Sequence, residues 1–216
     1  MRSSERLPLG RYLPIALVVF GLVCLVWVGV ALVREHRFQQ SQSRALDRAM
    51  EEPPPTAEAP VPRPEPGGLI GRLEIPRIAL SAMVVEGDDE KTLDRAVGHL
   101  PDTALPWEAG NSALAGHRDS FFRPLKDVRV GDEVRLTSPH GTFVYRVTEA
   151  FVTVPTDVGV LDSRGKAEIT LVTCYPFNYV GAAPKRFIVR AEREARMSAR
   201  DAPLETPGNP PSSAIE

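Results

Sequence analysis

Cys174 ends the run Glu168-Ile169-Thr170-Leu171-Val172-Thr173-Cys174, and the turn Tyr175-Pro176-Phe177 follows at once. That pattern puts a thiol at a strand terminus, where loops, solvent and substrate meet. The other cysteine, Cys24, lies in an apolar N-terminal run and reads as a small packing residue. Two cysteines exclude a disulfide-dense scaffold, and no Cys/His cluster has zinc spacing. Placed outside the cytoplasm, Cys174 has no intramolecular partner, and an unpaired thiol in an oxidising compartment needs a purpose. The plain alternative is a buried structural cysteine. Twelve residues on, Lys185-Arg186-Phe187-Ile188-Val189-Arg190 opens another apparent strand. If the two strands are antiparallel neighbours, the Arg186 guanidinium lies beside Cys174. It would there favour thiolate over thiol and donate to a developing oxyanion.

A thiolate mechanism also needs an acid/base, and there are four histidines. His36 follows the apolar run and reads as interfacial. His140, in Pro139-His140-Gly141, reads as a solvated turn residue. His99, in Val97-Gly98-His99-Leu100-Pro101, ends an expected short helix and is either structural or part of the site. His117, in Leu114-Ala115-Gly116-His117-Arg118-Asp119, follows an apolar strand in a glycine-flanked turn. Spacing favours His117 over His99 without excluding the latter. The 57-residue separation of His117 and Cys174 carries no meaning by itself; the fold must bring them together.

The elements that must do so are short and mostly of period two. Strands are expected at 69–75, 82–85, 111–115, 169–174 and 187–191, with a short helix over 88–97 and a helical turn over 121–128. A hairpin is expected from 133–137 and 142–148 around Ser138-Pro139-His140-Gly141. In it Val134, Leu136, Phe143, Tyr145 and Val147 share the inner face. About seven short strands with one or two short helices predict a mainly β fold, a closed or nearly closed barrel. Long alternating helices, which a parallel α/β fold requires, are absent.

The rest of the 216 residues is appendage. Ile15 to Val33 is a 19-residue run without charge, roughly 28 Å long as a helix and long enough to span a bilayer. Its length points to an uncleaved anchor over 13–33, behind a cytoplasmic tail at 1–12, rather than to a cleaved signal with Gly29-Val30-Ala31 as its site. Arginines 2, 6 and 11 on one flank nearly balance 34, 37, 44 and 48 on the other. The short tail favours N-in, C-out topology, with the body extracytoplasmic. Residues 34–66 read as a polar, Pro-rich linker, seven of whose prolines fall in 51–66. That stretch predicts an extended spacer reaching on the order of 50 Å. Residues 198–216 read as a disordered tail, which leaves one domain at 67–197. A formal charge of −2 offers no basic surface for nucleic acid. Asp88-Asp89-Glu90 suits a helix N-terminus better than a metal, so neither metal nor cofactor is expected.

Thr170-Leu171-Val172-Thr173-Cys174 resembles the TLxTC signature of sortases, the membrane-anchored cysteine transpeptidases of bacterial surfaces. Arg186 matches the family's arginine on the following strand, and Ala115-Gly116-His117-Arg118 its catalytic histidine. The stretches 98–106, 116–125, 174–177 and 181–187 resemble class D sortases in particular. No lid-length insert and no second apolar run are seen, which argues against the pilin-polymerising class. The resemblance implies a closed eight-stranded barrel with no cofactor, using Cys174 as nucleophile, His117 as acid/base and Arg186 as oxyanion or substrate donor. It also implies that Thr173, His99 and Arg118 line the substrate groove. The implied partners are secreted proteins bearing an LPxTG-like sorting signal and an amine of the cell envelope. A papain-like hydrolase fits less well, because Arg186 replaces the Asn or Asp of that triad. An L,D-transpeptidase and a non-catalytic tethered barrel remain the other readings.

Overall fold

The computed structural model describes residues 9–51 and 62–194. Most of the expected spacer and the whole expected tail lie outside the described residues. Eight strands form the body: β1 (Leu69–Ile75), β2 (Leu80–Glu86), β3 (Val97–His99), β4 (Asn111–Ala115), β5 (Glu133–Ser138), β6 (Gly141–Thr153), β7 (Glu168–Tyr175) and β8 (Lys185–Arg193). They close into a barrel in the order β1-β2-β3-β4-β7-β8-β6-β5. Two neighbour pairs, β2 with β3 and β4 with β7, are parallel; the others are antiparallel.

Alternation builds the core. The β5–β6 hairpin pairs Val134 with Tyr145 and Leu136 with Phe143, so these four point into the barrel together with Val147. From the other wall come Leu73, Val84, Leu114, Leu171 and Val189, each essentially without exposed surface. Each such aliphatic side chain contributes about 1.5–3 kcal/mol by leaving water. At the turn, Ser138 Oγ accepts from the His140 N–H and donates to the Gly141 carbonyl. His140 differs from the solvated residue expected. Its ring packs on Trp107, with centroids 4.2 Å apart, and burial holds its pKa below the ordinary imidazole value.

The segment 88–97 also differs from expectation. Its helix, α2 (Glu90–Leu93), is one turn long, with Asp89 as N-cap accepting from the amides of Lys91 and Thr92. The chain then becomes β3, because Val97 ladders with Val84 and His99 with Leu114, and these tertiary pairings outweigh local propensity. Gly98 fits where a Cβ would lie 2.2 Å from the Gly87 carbonyl oxygen.

Helix α1 (Leu9–Glu51) is continuous. An 18-residue stretch of its apolar half has a mean hydropathy of 2.9 and is exposed, and the helix is long and apolar enough to cross a membrane. Its polar half lies against β1 and β2, with Leu46 fully buried. Arg72 donates to Ser43 Oγ at 2.6 Å and pairs with Asp47 at 3.6 Å. Through its polar half the helix therefore meets the barrel before the Pro-rich segment begins, so the spacer's reach does not set the distance between barrel and apolar run.

Candidate active site

The parallel β4–β7 ladder pairs Asn111 with Glu168 through to Ala115 with Val172, a constant offset of 57 residues. His117 and Cys174 are separated by the same 57. The pairing continues past β4. The Gly116 N–H donates to the Val172 carbonyl at 3.2 Å, and Thr173 Oγ1 donates to the Gly116 carbonyl at 2.7 Å. The two chains leave the barrel side by side, so His117 arrives level with Cys174. The number that meant nothing in the sequence is the register of a parallel ladder, a property of the fold.

Strand parity decides which way these residues face. Leu114 and Leu171 point into the core, so Ala115, Val172 and Cys174 point out. On β8, Val189 and Ala191 point in, so Arg186 and Ile188 point out. Arg186 is the direct cross-strand partner of Cys174. The three expected residues thus share one end and one outer face of the barrel. Cys174 is half-buried, and the His117 side chain is 40% exposed.

Beside Arg186 and Val172 is a cavity of about 100 Å³, walled by Leu100, Val154, Val158, Val160 and Ile188. It is apolar apart from its rim, a suitable seat for aliphatic side chains of an extended peptide. Arg186 Nη1 donates to the carbonyls of Lys185 and Ala183, at 3.1 and 3.4 Å. The hydroxyl of Thr153, opposite Arg186 on β6, donates to Asp157 at 2.6 Å and steadies the loop forming one wall.

Of the residues expected to line the groove, His99 and Thr173 are buried away from it, whereas Arg118 lies at its edge. His99 is fully buried inside the barrel; Nδ1 is 2.8 Å from Glu86 Oε2, and Nε2 is 3.0 Å from the Ala104 carbonyl. A ring without exposed surface touches no peptide, so His99 belongs to the scaffold. Thr173 is 2% exposed, and its hydroxyl joins the ends of β4 and β7. Arg118 reaches the loop after β7: Nη2 donates to the carbonyls of Tyr179 and Gly181, at 2.6 and 3.0 Å, and the guanidinium lies 5.9 Å from the Tyr179 ring centroid. It braces the loop that follows Cys174. Asp94, which no motif or spacing singles out, has its Oδ1 3.7 Å from His117 Nε2. Phe122 likewise carries no sequence signal for a role beside His117. Fully buried, it donates its N–H to the His117 carbonyl, and its ring passes where a Cβ on Gly116 would be 2.8 Å away.

A half-buried strand-end thiol, level with an exposed imidazole and paired with an arginine beside an apolar cleft, fits a cysteine acyl-transfer enzyme. Residues 73–194 match the family described as Sortase domain, and the chain belongs to the sortase family of cysteine transpeptidases. It is 40% identical to Sortase D of Bacillus subtilis (strain 168) over 132 residues, 61% of this chain and 67% of that one. It is 27% identical to Sortase A of Bacillus anthracis over 167 residues, 76% of this chain and 78% of the relative. Among solved structures, a Clostridium perfringens Sortase D5 transpeptidase superposes with a TM-score of 0.66 at 27% identity, covering 74% of this chain and 99% of that one. A Sortase D and a Sortase D5 among these relatives agree with the class D likeness of the motifs.

Proposed function

We propose that the protein cleaves an LPxTG-like sorting signal and transfers the new acyl group to an amine of the cell envelope, with Cys174 as nucleophile. The Cys174 thiolate attacks the carbonyl between the signal's Thr and the next residue. Arg186, opposite it on β8, donates to the tetrahedral oxyanion. The C–N bond breaks as His117 gives its proton to the departing amine, leaving a thioester on Cys174. An incoming amine loses a proton to His117 and attacks the thioester; the amide forms and the thiolate is released. The apolar cavity beside Val172 takes the aliphatic residues before the scissile bond. Residues 13–33 anchor the chain in the membrane N-in, with the barrel outside among secreted substrates.

The observation that supports this best is the register, with β4, β7 and β8 delivering His117, Cys174 and Arg186 to one outward face. The test incubates the full chain in lipid nanodiscs with a library of sorting peptides and analyses Cys174 by mass spectrometry. An acyl adduct on Cys174 is expected, and added amine should divert the product from acid to amide. An intact thiol and no adduct with any peptide would overturn the proposal.

A further inference from the structure

We propose that the extramembrane half of α1 is part of the catalytic unit. Gln39 seals the open edge of β2 and fixes the turn carrying Asp94, and Asp94 positions the His117 imidazole. What His117 then does rests on the transpeptidase reading above.

The barrel has a gap on one side. β3 is three residues long and ladders with β2 only from Val84 to Glu86. Just before that stretch, Met83 is 3% exposed, and among the described residues no strand ladders with it on the side away from β1. Gln39 fills that role. Its Oε1 accepts from the Met83 N–H at 2.9 Å, and its Nε2 donates to the Arg95 carbonyl at 2.6 Å. One side-chain amide thus presents an acceptor and a donor where a neighbouring backbone would have done so. The Ser43 and Asp47 contacts with Arg72, and buried Leu46, hold the helix at the same place.

The clamped carbonyl belongs to the residue after Asp94. Asp94 caps the C-terminus of α2, its N–H donating to the Glu90 carbonyl, so its backbone is tied from both sides. From there its carboxylate meets His117 Nε2 at 3.7 Å, which leaves Nδ1 outside that contact and free for proton transfer. The Asp94 side chain is 64% exposed, and such a pair adds little to stability. Its effect is therefore expected in turnover: an oriented imidazole transfers its proton more often than one free to rotate.

The experiment uses the full chain in nanodiscs, an LPxTG-type peptide and an amine acceptor. D94N should lower kcat about three- to tenfold, with KM and melting temperature unchanged, and D94E should recover part of the loss. Q39A and Q39E should lower kcat similarly and speed amide exchange at Met83 and over 94–97. Unchanged exchange at Met83 in both Gln39 variants would overturn the clamp. Wild-type kcat in D94N, in a preparation whose unmutated enzyme forms the Cys174 adduct, would overturn the positioning role. If unmutated enzyme forms no adduct, the transpeptidase reading fails, and the exchange measurement still decides the clamp.

Discussion

Two histidines on adjacent strands lead opposite lives. His99, on β3, faces inward with no exposed surface and has Glu86 on one ring nitrogen and a carbonyl on the other. His117, just past β4, faces outward, 40% exposed, with one loose contact to Asp94. Each follows a glycine that makes room for a close neighbour, the Gly87 carbonyl under Gly98 and the Phe122 ring under Gly116. The first ring is a fixed part of the frame, whereas the second keeps a free nitrogen and access to solvent, as a proton carrier must. Rigidity surrounds the site, and the reactive groups are held by the register of their backbones rather than by bonds to one another.

Mutations can break this contrast, and the largest effect is expected at the thiol. Cys174→Ala should abolish turnover and acyl-adduct formation, a loss on the order of 10⁴-fold or more, without moving the melting temperature. His117→Ala should lower kcat/KM about 10²- to 10⁴-fold, again with the fold intact by calorimetry. His99→Ala should do the reverse. It strands the Glu86 carboxylate in the core at a cost of about 3–5 kcal/mol, while the fraction that remains folded works within a few-fold of normal. A His99→Ala protein of unchanged melting temperature and lost activity would collapse the distinction. Arg186→Lys should cost about 10²-fold, because a point charge cannot reproduce the planar donor fork.

The smallest effect sharpens the contrast from the frame's side. Asp132, nearly buried before β5, accepts from the Arg77 guanidinium and the Arg129 N–H, which hold its pKa below the ordinary carboxylate value. A pKa depressed on folding stabilises above the unfolded-state value, near 4, and that stability is lost as pH falls through the lower folded value. Asp132→Asn should therefore cost about 1–3 kcal/mol at neutral pH, and denaturation midpoints of variant and parent should converge towards pH 2. Peptide turnover at pH 7 should be unaffected.

Much of this was legible from the sequence because it is local. The alternation through Val134, Leu136, Phe143, Tyr145 and Val147 fixed an inner face, and Cys174 could be placed at a strand end from its own neighbours. What stayed hidden depends on pairing. Gly98-His99 and Gly116-His117 look alike on paper; the parity that sends one ring in and the other out exists only once β3 and β4 are in register. β3 itself, at three residues, is too short for periodicity and forms because β2 and β4 flank it. Glu86, Asp94 and Gln39 owe their partners to chain segments 13, 23 and 56 residues away, which no spacing rule reads.

The unbroken helix has a consequence for where chemistry takes place. From Val33, the last residue of the uncharged run, to Gln39, which grips the barrel, is six residues, or about 9 Å of rise. Were that run embedded in a bilayer, the barrel would be a fixture mounted close to the lipid headgroups and not a sampler on a leash. The helix, and not the Pro-rich stretch behind it, would then set the height of the barrel above the lipid.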